Sequence, residues 1–163
     1  MKSKHNNILV TGGAGFIGFN LIKKLLNSKK NIFVIDNFST GYNKNFPKNI
    51  KLLKGDCKDY SIFQNLKNYK IDTVIHLAGV SSVEASFDDP VKDANSNIIS
   101  TLNVLRFVKE KNIKNFIFSS SMCVYGNLGN NVNESDATKP ISFYGISKLT
   151  CEEYIRFCPL PNT

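Results

Sequence analysis

The sequence contains no uninterrupted apolar run approaching the length of a membrane span, and residues 1–7 are polar where a secretory signal would be apolar. Neither membrane insertion nor secretion is expected, and the cytoplasm is the default compartment. Cysteine and histidine are both sparse. Cys57, Cys123, Cys151 and Cys158 form no CxxC pair and only His5 and His76 accompany them, so no metal site and no disulfide framework is suggested. Reduced thiols are expected. Internal repeats and low-complexity tracts are missing as well. A compact basic stripe is also lacking: the formal net charge is +8, but lysines such as Lys23, Lys24, Lys29, Lys30, Lys44, Lys51 and Lys58 are scattered among asparagines. They read as solvated surface, and no nucleic-acid partner is expected.

What is present suffices for one sizeable core, since the chain has 163 residues and is 42% hydrophobic. The chain is organised around residues 8–18, an apolar run, Ile8-Leu9-Val10, that breaks into Thr11-Gly12-Gly13-Ala14-Gly15-Phe16-Ile17-Gly18 and resumes as an amphipathic helix. A turn from sheet to helix that brings backbone N–H groups against a pyrophosphate excludes a Cβ at Gly12 or Gly15, and Gly18 lets the helix pack on the strand. The helix start supplies unpaired N–H groups and partial positive charge, so the anion needs no basic side chain. At the end of the next apolar run, residues 31–36, Asp36 stands eighteen residues past Gly18. A carboxylate there accepts hydrogen bonds from both adenosine ribose hydroxyls and repels a 2′-phosphate, which favours NAD over NADP.

Further along, the periodicities predict a helix over 16–28, strands at 32–36, 50–54, 73–79 and 116–118, and a helical return near Ile62, Phe63 and Leu66. A long helix is predicted from Pro90, with Val91, Ala94, Ile98, Leu102, Leu105, Phe107 and Val108 as its apolar stripe, and another from about Phe143. Residues 37–49 are expected to wrap the adenosine. Between strand and last helix, residues 125–142, with Gly126, Gly129, Asn130 and Pro140, read as a loop of functional length. Strands alternating with helices give an α/β fold, a doubly wound parallel sheet of Rossmann type, with ligands at the carboxyl ends of the strands. Residues 1–157 are read as this one domain, and 158–163 as a proline-broken tail with no sixth strand before it. His76, inside an apolar run with no second ligand nearby, is read as a satisfied core histidine and given no chemistry.

Catalytic chemistry is suggested where Ser119-Ser120-Ser121 closes the fifth strand and Tyr144-Gly145-Ile146-Ser147-Lys148 opens the last helix. Tyrosine and lysine at i, i+4 share a helix face, so the ammonium can approach the phenol or a ribose hydroxyl beside it. A free phenol titrates near ~10, and a base acting near neutrality needs about three units less, roughly 4 kcal/mol of preferential phenolate stabilisation. Lys148 and an oxidised nicotinamide are the two charges that could supply it.

Taken together, the glycine turn, Asp36-Asn37-Phe38-Ser39-Thr40-Gly41, Gly55-Asp56, His76-Leu77-Ala78-Gly79, Asn97, the serines with Val124-Tyr125-Gly126, and the Tyr144–Lys148 pair resemble the NAD-dependent epimerase/dehydratase family of extended short-chain dehydrogenases/reductases. Within it the likeness is to the nucleotide-sugar 4-epimerases. The resemblance implies that the amides of Phe16 and Ile17 meet the pyrophosphate, Asp36 and Asn37 hold the ribose, and Asp56 with Cys57 flanks the adenine. It implies Leu77, Ala78, Gly79 and Asn97 along the rest of the cofactor, Tyr144 as base, Lys148 as its electrostatic partner and ribose anchor, and Ser121 on the substrate hydroxyl. Met122 and Cys123 stand where related dehydratases and decarboxylases carry acids, which favours simple 4-epimerisation of a UDP-hexose; Cys123 reads as a small buried thiol, with an acid role of the kind a related 3,5-epimerase/reductase family uses as the alternative. Family members run to about twice this length, so the chain is read as an amino-terminal, cofactor-binding half with little turnover, and the helices from Pro90 and Tyr144 as the family's homodimer surface. Three other readings stay open: a non-catalytic NAD-binding fragment, an unstable or aggregating pseudogene product, and a nucleotide-sugar dehydratase or reductase of the same family.

Overall fold

Five short, largely apolar strands, most of them rich in β-branched or aromatic residues, assemble into one parallel sheet: β1 (Asn7–Thr11), β2 (Asn31–Asp36), β3 (Ile50–Lys54), β4 (Thr73–His76) and β5 (Asn115–Phe118). The computed structural model describes residues 7–28, 30–42, 45–127 and 131–159. The polar start 1–6, Lys29, Lys44, Gly129, Asn130 and residues 160–163 of the expected tail lie outside the described residues. Strand order is β3-β2-β1-β4-β5, with Val10 opposite Val34 on one side and Ile75 on the other. The order reverses between β1 and β4, which is the place where such sheets open a crevice.

Alternation along the strands sends side chains to two cores. Leu9, Phe33, Ile35 and Val74 join Val104, Phe107 and Val108 of α4 (Ser100–Glu110) on one face. Ile8, Val10, Ile32, Val34 and Ile75 join Ile22 of α1 (Phe16–Leu25) on the other. Both faces of the sheet centre are therefore covered, which is the doubly wound arrangement expected.

The helical return at Ile62, Phe63 and Leu66 is present as a 3₁₀ helix, Tyr60–Leu66, which Asp59 caps by accepting from the Ser61 amide. Other local expectations are corrected. A short helix not anticipated from the sequence, α2 (Val83–Asp88), starts where the Ser82 side chain accepts from the Ala85 amide. The fourth strand ends at His76, and Leu77, Ala78 and Gly79 continue as the loop beyond it. Likewise β5 ends at Phe118, with the three serines following it.

The long helix from Pro90 is three pieces. Asp89 caps α3 (Pro90–Ala94), a π-helical segment Asn95–Ile99 follows, and α4 continues to Glu110. A π turn holds one residue more than an α turn, so the inward face steps sideways along the helix. Val91 is 69% exposed and Ile99 41%, while Asp93, Asn97, Ser100 and Thr101 are buried. Carbonyls of the wide turn are taken by side chains: the Asn97 carbonyl accepts from Thr101 Oγ1 at 2.7 Å and from Cys151 Sγ at 3.4 Å. The last helix, α5 (Phe143–Phe157), begins as expected, capped by Ser142, whose hydroxyl accepts from the Gly145 amide.

Candidate functional site

At the reversal point between β1 and β4 the carboxyl ends of the strands open into a cleft of about 540 Å³, of a size that suits a cofactor. Its floor is the glycine turn. Gly12 has φ +72°, and a Cβ there would sit 2.6 Å from the Ala78 amide nitrogen. A Cβ on Gly18 would sit 2.3 Å from the Gly12 carbonyl oxygen, so these two glycines are required by the turn itself. Gly15 is different: its Cβ would reach only Gly12 O at 3.4 Å, and the space it leaves is on the cleft side of the turn. No side chain caps α1 and no acid occupies its first turn, so its first amides are left for an anion.

Asp36 is buried at the end of β2, where Oδ2 accepts from the Ala14 amide at 2.8 Å and Oδ1 from the Phe38 amide at 2.7 Å. The carboxylate thus braces both the glycine turn and the following loop, and it lines the cleft. The loop bends sharply, with Phe38 at φ +57°. Asn37 donates from Nδ2 to Asp56 at 2.8 Å. Partial burial raises Asp56, but the Lys58 amide, Asn37 and the Lys58 ammonium together outweigh that and hold it below its ordinary value. The Cys57 thiol is pushed up to about 12 by burial and the nearby Asp56 and Asp36 carboxylates, so it is a packed thiol and no nucleophile. Among the residues lining the cleft, Asp36, Asp56 and Lys148 are the charged ones. A pyrophosphate there would rest on backbone dipoles.

At the opposite end Tyr144 and Lys148 rise from α5, 6% and 7% exposed. Lys148 Nζ donates to the Ser119 carbonyl at 2.8 Å, lies 4.6 Å from the Phe118 ring centre, and is 6.0 Å from the Tyr144 ring centre. Burial lowers the lysine against the opposing pull of Cys151, Asp93 and Glu152. Burial raises the Tyr144 phenol, the Ser121 hydrogen bond works the other way, and Cys123 and Asp93 raise it further. The chain by itself therefore holds Tyr144 above its ordinary value, and only an added positive charge in the cleft would bring it down. Ser121 also accepts from the Cys123 amide at 3.2 Å, which fixes its side chain at the start of a 3₁₀ turn.

His76 lies behind this site, fully enclosed. Its Nδ1 is 2.6 Å from Thr11 Oγ1 and its Nε2 is 3.0 Å from Thr101 Oγ1. Because the Thr101 hydroxyl donates to the Asn97 carbonyl, it accepts from Nε2–H, and Nδ1 accepts from Thr11. The Ala78 amide donates to Thr11 Oγ1 at 3.3 Å and completes a row that holds a neutral ring. Desolvation, with Lys148 nearby, takes the imidazole down to about 3. His76 is thus a satisfied core residue that ties β1, β4 and α4 together.

Of the residues singled out from the sequence, Gly12, Gly15, Phe16, Ile17, Gly18, Asp36, Asn37, Asp56, Cys57, Leu77, Ala78, Gly79, Tyr144 and Lys148 line the one cleft. Asn97 and Ser121 are not among its lining residues; the first lies against Gly79, and the second is near enough to Tyr144 to act on its phenol. Sequence reasoning missed Asp93 and Ser147, a buried pair joining α3 to α5. The signal for Asp93 was its place four residues before Asn97, on the same helix face.

A nicotinamide dinucleotide fits these residues on two counts: the space left by Gly15 above a helix start, and Asn97 Oδ1, a buried acceptor with no partner among the described residues. A family model described as NAD dependent epimerase/dehydratase matches residues 8–158. The chain belongs to the NAD dependent epimerase/dehydratase family. Within that family it is 34% identical over 152 residues to the UDP-glucose 4-epimerase of Lacticaseibacillus casei, covering 92% of this chain and 46% of that one. The Thermus thermophilus UDP-glucose 4-epimerase, solved with NAD, superposes with TM-score 0.87 at 32% identity, over 92% of this chain and 50% of that one. The Thermotoga maritima UDP-glucose 4-epimerase, solved with UDP-glucose, gives TM-score 0.84 at 37% identity, over 93% and 50%. The chain spans about half the length of the curated family relatives it matches.

Proposed function

We propose that this chain binds NAD and carries the proton-transfer residues of a nucleotide-sugar 4-epimerase acting on a UDP-hexose. The observation that carries the reading is the convergence of the glycine turn, Asp36, Tyr144 and Lys148 on one cleft at the reversal point of the sheet. Bound NAD would supply the hydride acceptor and donor for a reversible oxidation at the sugar C4. The chain does the rest of the work. Gly12, Gly15 and Gly18 with the Phe16 and Ile17 amides hold the pyrophosphate; Asp36 and Asn37 hold the adenosine ribose; Asp56 and Cys57 border the adenine. Leu77, Ala78 and Gly79 border the central and nicotinamide portions of the cofactor, with Asn97 behind Gly79. Lys148 anchors the second ribose, Ser121 holds the C4 hydroxyl, and Tyr144 takes its proton and gives it back. Met122 and Cys123 supply no carboxyl group for a dehydration, which supports epimerisation over elimination.

An association through α3 and α5 belongs to the same reading. Phe143, Ile146, Tyr154 and Phe157 form an exposed stripe on α5, and Phe87 and Val91 extend it, with the Phe87 and Phe143 rings 5.5 Å apart. A second copy pairing by the same surface would bury it in a helical bundle.

Calorimetric titration of the chain with NAD, NADP and UDP-glucose tests the proposal. NAD is expected to bind and NADP to bind at least tenfold more weakly, since a 2′-phosphate would meet Asp36 across a short distance. Absence of NAD binding would end the reading. Asp36→Ala should weaken NAD about tenfold and bring NADP level with it; an unchanged preference would remove Asp36 from the ribose site. For the chemistry, Tyr144→Phe should leave NAD affinity intact and lower any conversion of UDP-glucose to its C4 epimer by roughly 10²-fold or more, read by product chromatography. Conversion at the unaltered rate would assign the proton to another group.

A further inference from the structure

Asp93 is buried in the middle of α3, 2% exposed, and among the described residues no ammonium or guanidinium lies within ion-pair distance of it. A carboxylate in such a place is costly and is retained only where its acceptors are used. Both are. Oδ1 accepts from Asn97 Nδ2 at 2.9 Å and Oδ2 accepts from Ser147 Oγ at 2.5 Å.

The Asn97 side chain is thereby locked in one of its two amide orientations. Nδ2 carries two hydrogens, one directed to Asp93 and the other to the Val80 carbonyl at 3.1 Å. Turning the amide over would set its oxygen against two acceptors, which neither carboxylate nor carbonyl can satisfy. Oδ1 must therefore point the other way. There it lies 2.4 Å from where a Gly79 Cβ would stand, with Lys148 Nζ 3.9 Å from the same point, and it has no partner among the described residues.

We propose that Asp93 is a positioning residue: it fixes Asn97 so that Oδ1 is presented to an N–H or O–H donor on the nicotinamide half of the cofactor. Through Ser147 it couples that orientation to the turn of α5 between Tyr144 and Lys148. The proposal rests on the NAD reading given above and extends it to a residue that does not line the cleft.

Two measurements on the 163-residue chain test it. In the cofactor-free chain, the Asn97 side-chain amide protons, followed by ¹⁵N-resolved NMR, should exchange with solvent more than tenfold slower than those of exposed asparagines such as Asn65. The isosteric Asp93→Asn should erase most of that protection. Rapid exchange in the unaltered chain, or protection that survives the substitution, would overturn the lock. The second measurement is calorimetry with NAD and with ADP, which lacks the nicotinamide half. Asp93→Asn should weaken NAD about five- to tenfold and leave ADP unchanged, and Asp93→Asn combined with Asn97→Ala should bind NAD no more weakly than Asn97→Ala alone. A carboxylate that merely braced two helices would weaken NAD and ADP together and add its loss to that of Asn97→Ala; either result refutes the positioning role. NAD binding that Asp93→Asn leaves unaltered refutes it alone, whereas failure of the unaltered chain to bind NAD refutes the cofactor reading and the ligand proposed here with it.

Discussion

Gly18→Ala should lower the stability of the chain by about 3 kcal/mol or more and remove NAD binding with it. The added methyl carbon would stand 2.3 Å from the Gly12 carbonyl oxygen and 2.7 Å from the Gly13 Cα. Both neighbours are backbone, so no side chain can swing aside, and α1 would have to lift off the turn that it closes. For a chain of this size, about 3 kcal/mol corresponds to a melting midpoint lower by roughly 6–12 °C. Gly15→Ala is the matched control, because its methyl group would meet only the Gly12 oxygen at 3.4 Å, an ordinary contact. The melting temperature should then stay within about 2–4 °C while NAD affinity drops, since the methyl group enters the space the pyrophosphate needs. Equal melting curves for Gly18→Ala and the unaltered chain would show that the turn can open without loss.

The second large effect is on acid stability. In the unfolded chain the His76 imidazole takes up a proton near 6.5, whereas in the folded chain it does so only at about 3. Its contribution is therefore fully present above pH 6.5 and is lost progressively as pH falls toward 3. The slope inside that window is about 1.4 kcal/mol per pH unit. Between pH 7 and pH 5 this amounts to about 2 kcal/mol, before carboxylates take over the titration. Urea midpoints at pH 7 and pH 5 measure it, and His76→Gln should flatten the difference while lowering stability at both pH values, because Thr11 and Thr101 lose their partners. A difference that persists in His76→Gln would place the titrating group elsewhere.

Strand positions and the glycine turn were legible from the sequence because apolar runs, small residues and their spacing are the direct trace of a covered parallel sheet. Asp36, Tyr144 and Lys148 were legible for a related reason: each sits at a fixed distance from an element end. What escaped were features built from buried polar groups. Asp93, Ser100 and Thr101 face inward, yet a hydropathy pattern counts them as surface, and Val91, counted as core, is exposed; Asn97, buried beside them, was legible only through the family motif. The α-versus-3₁₀ character of 60–66 and the presence of α2 depend on single caps, Asp59 and Ser82, whose effect on so short a segment is decided by what packs above it. The direction in which Tyr144 is shifted was not legible either, since burial acts on it in the folded chain and leaves no mark on residue order.

The wide turn at Asn95–Ile99 also bears on how the gene for such a chain can vary. Because one surplus residue sets the angular offset between the polar face that meets α5 and the apolar face that meets the sheet, loss of a single codon in this stretch would rotate α3 by roughly 100° relative to α4. Asp93 would then swing away from Ser147, and Asn97 from Gly79, although every side chain needed was still encoded. Point substitutions at the solvent-facing positions of this stretch should be tolerated where one-residue insertions and deletions are not, so that its length should matter more than much of its spelling.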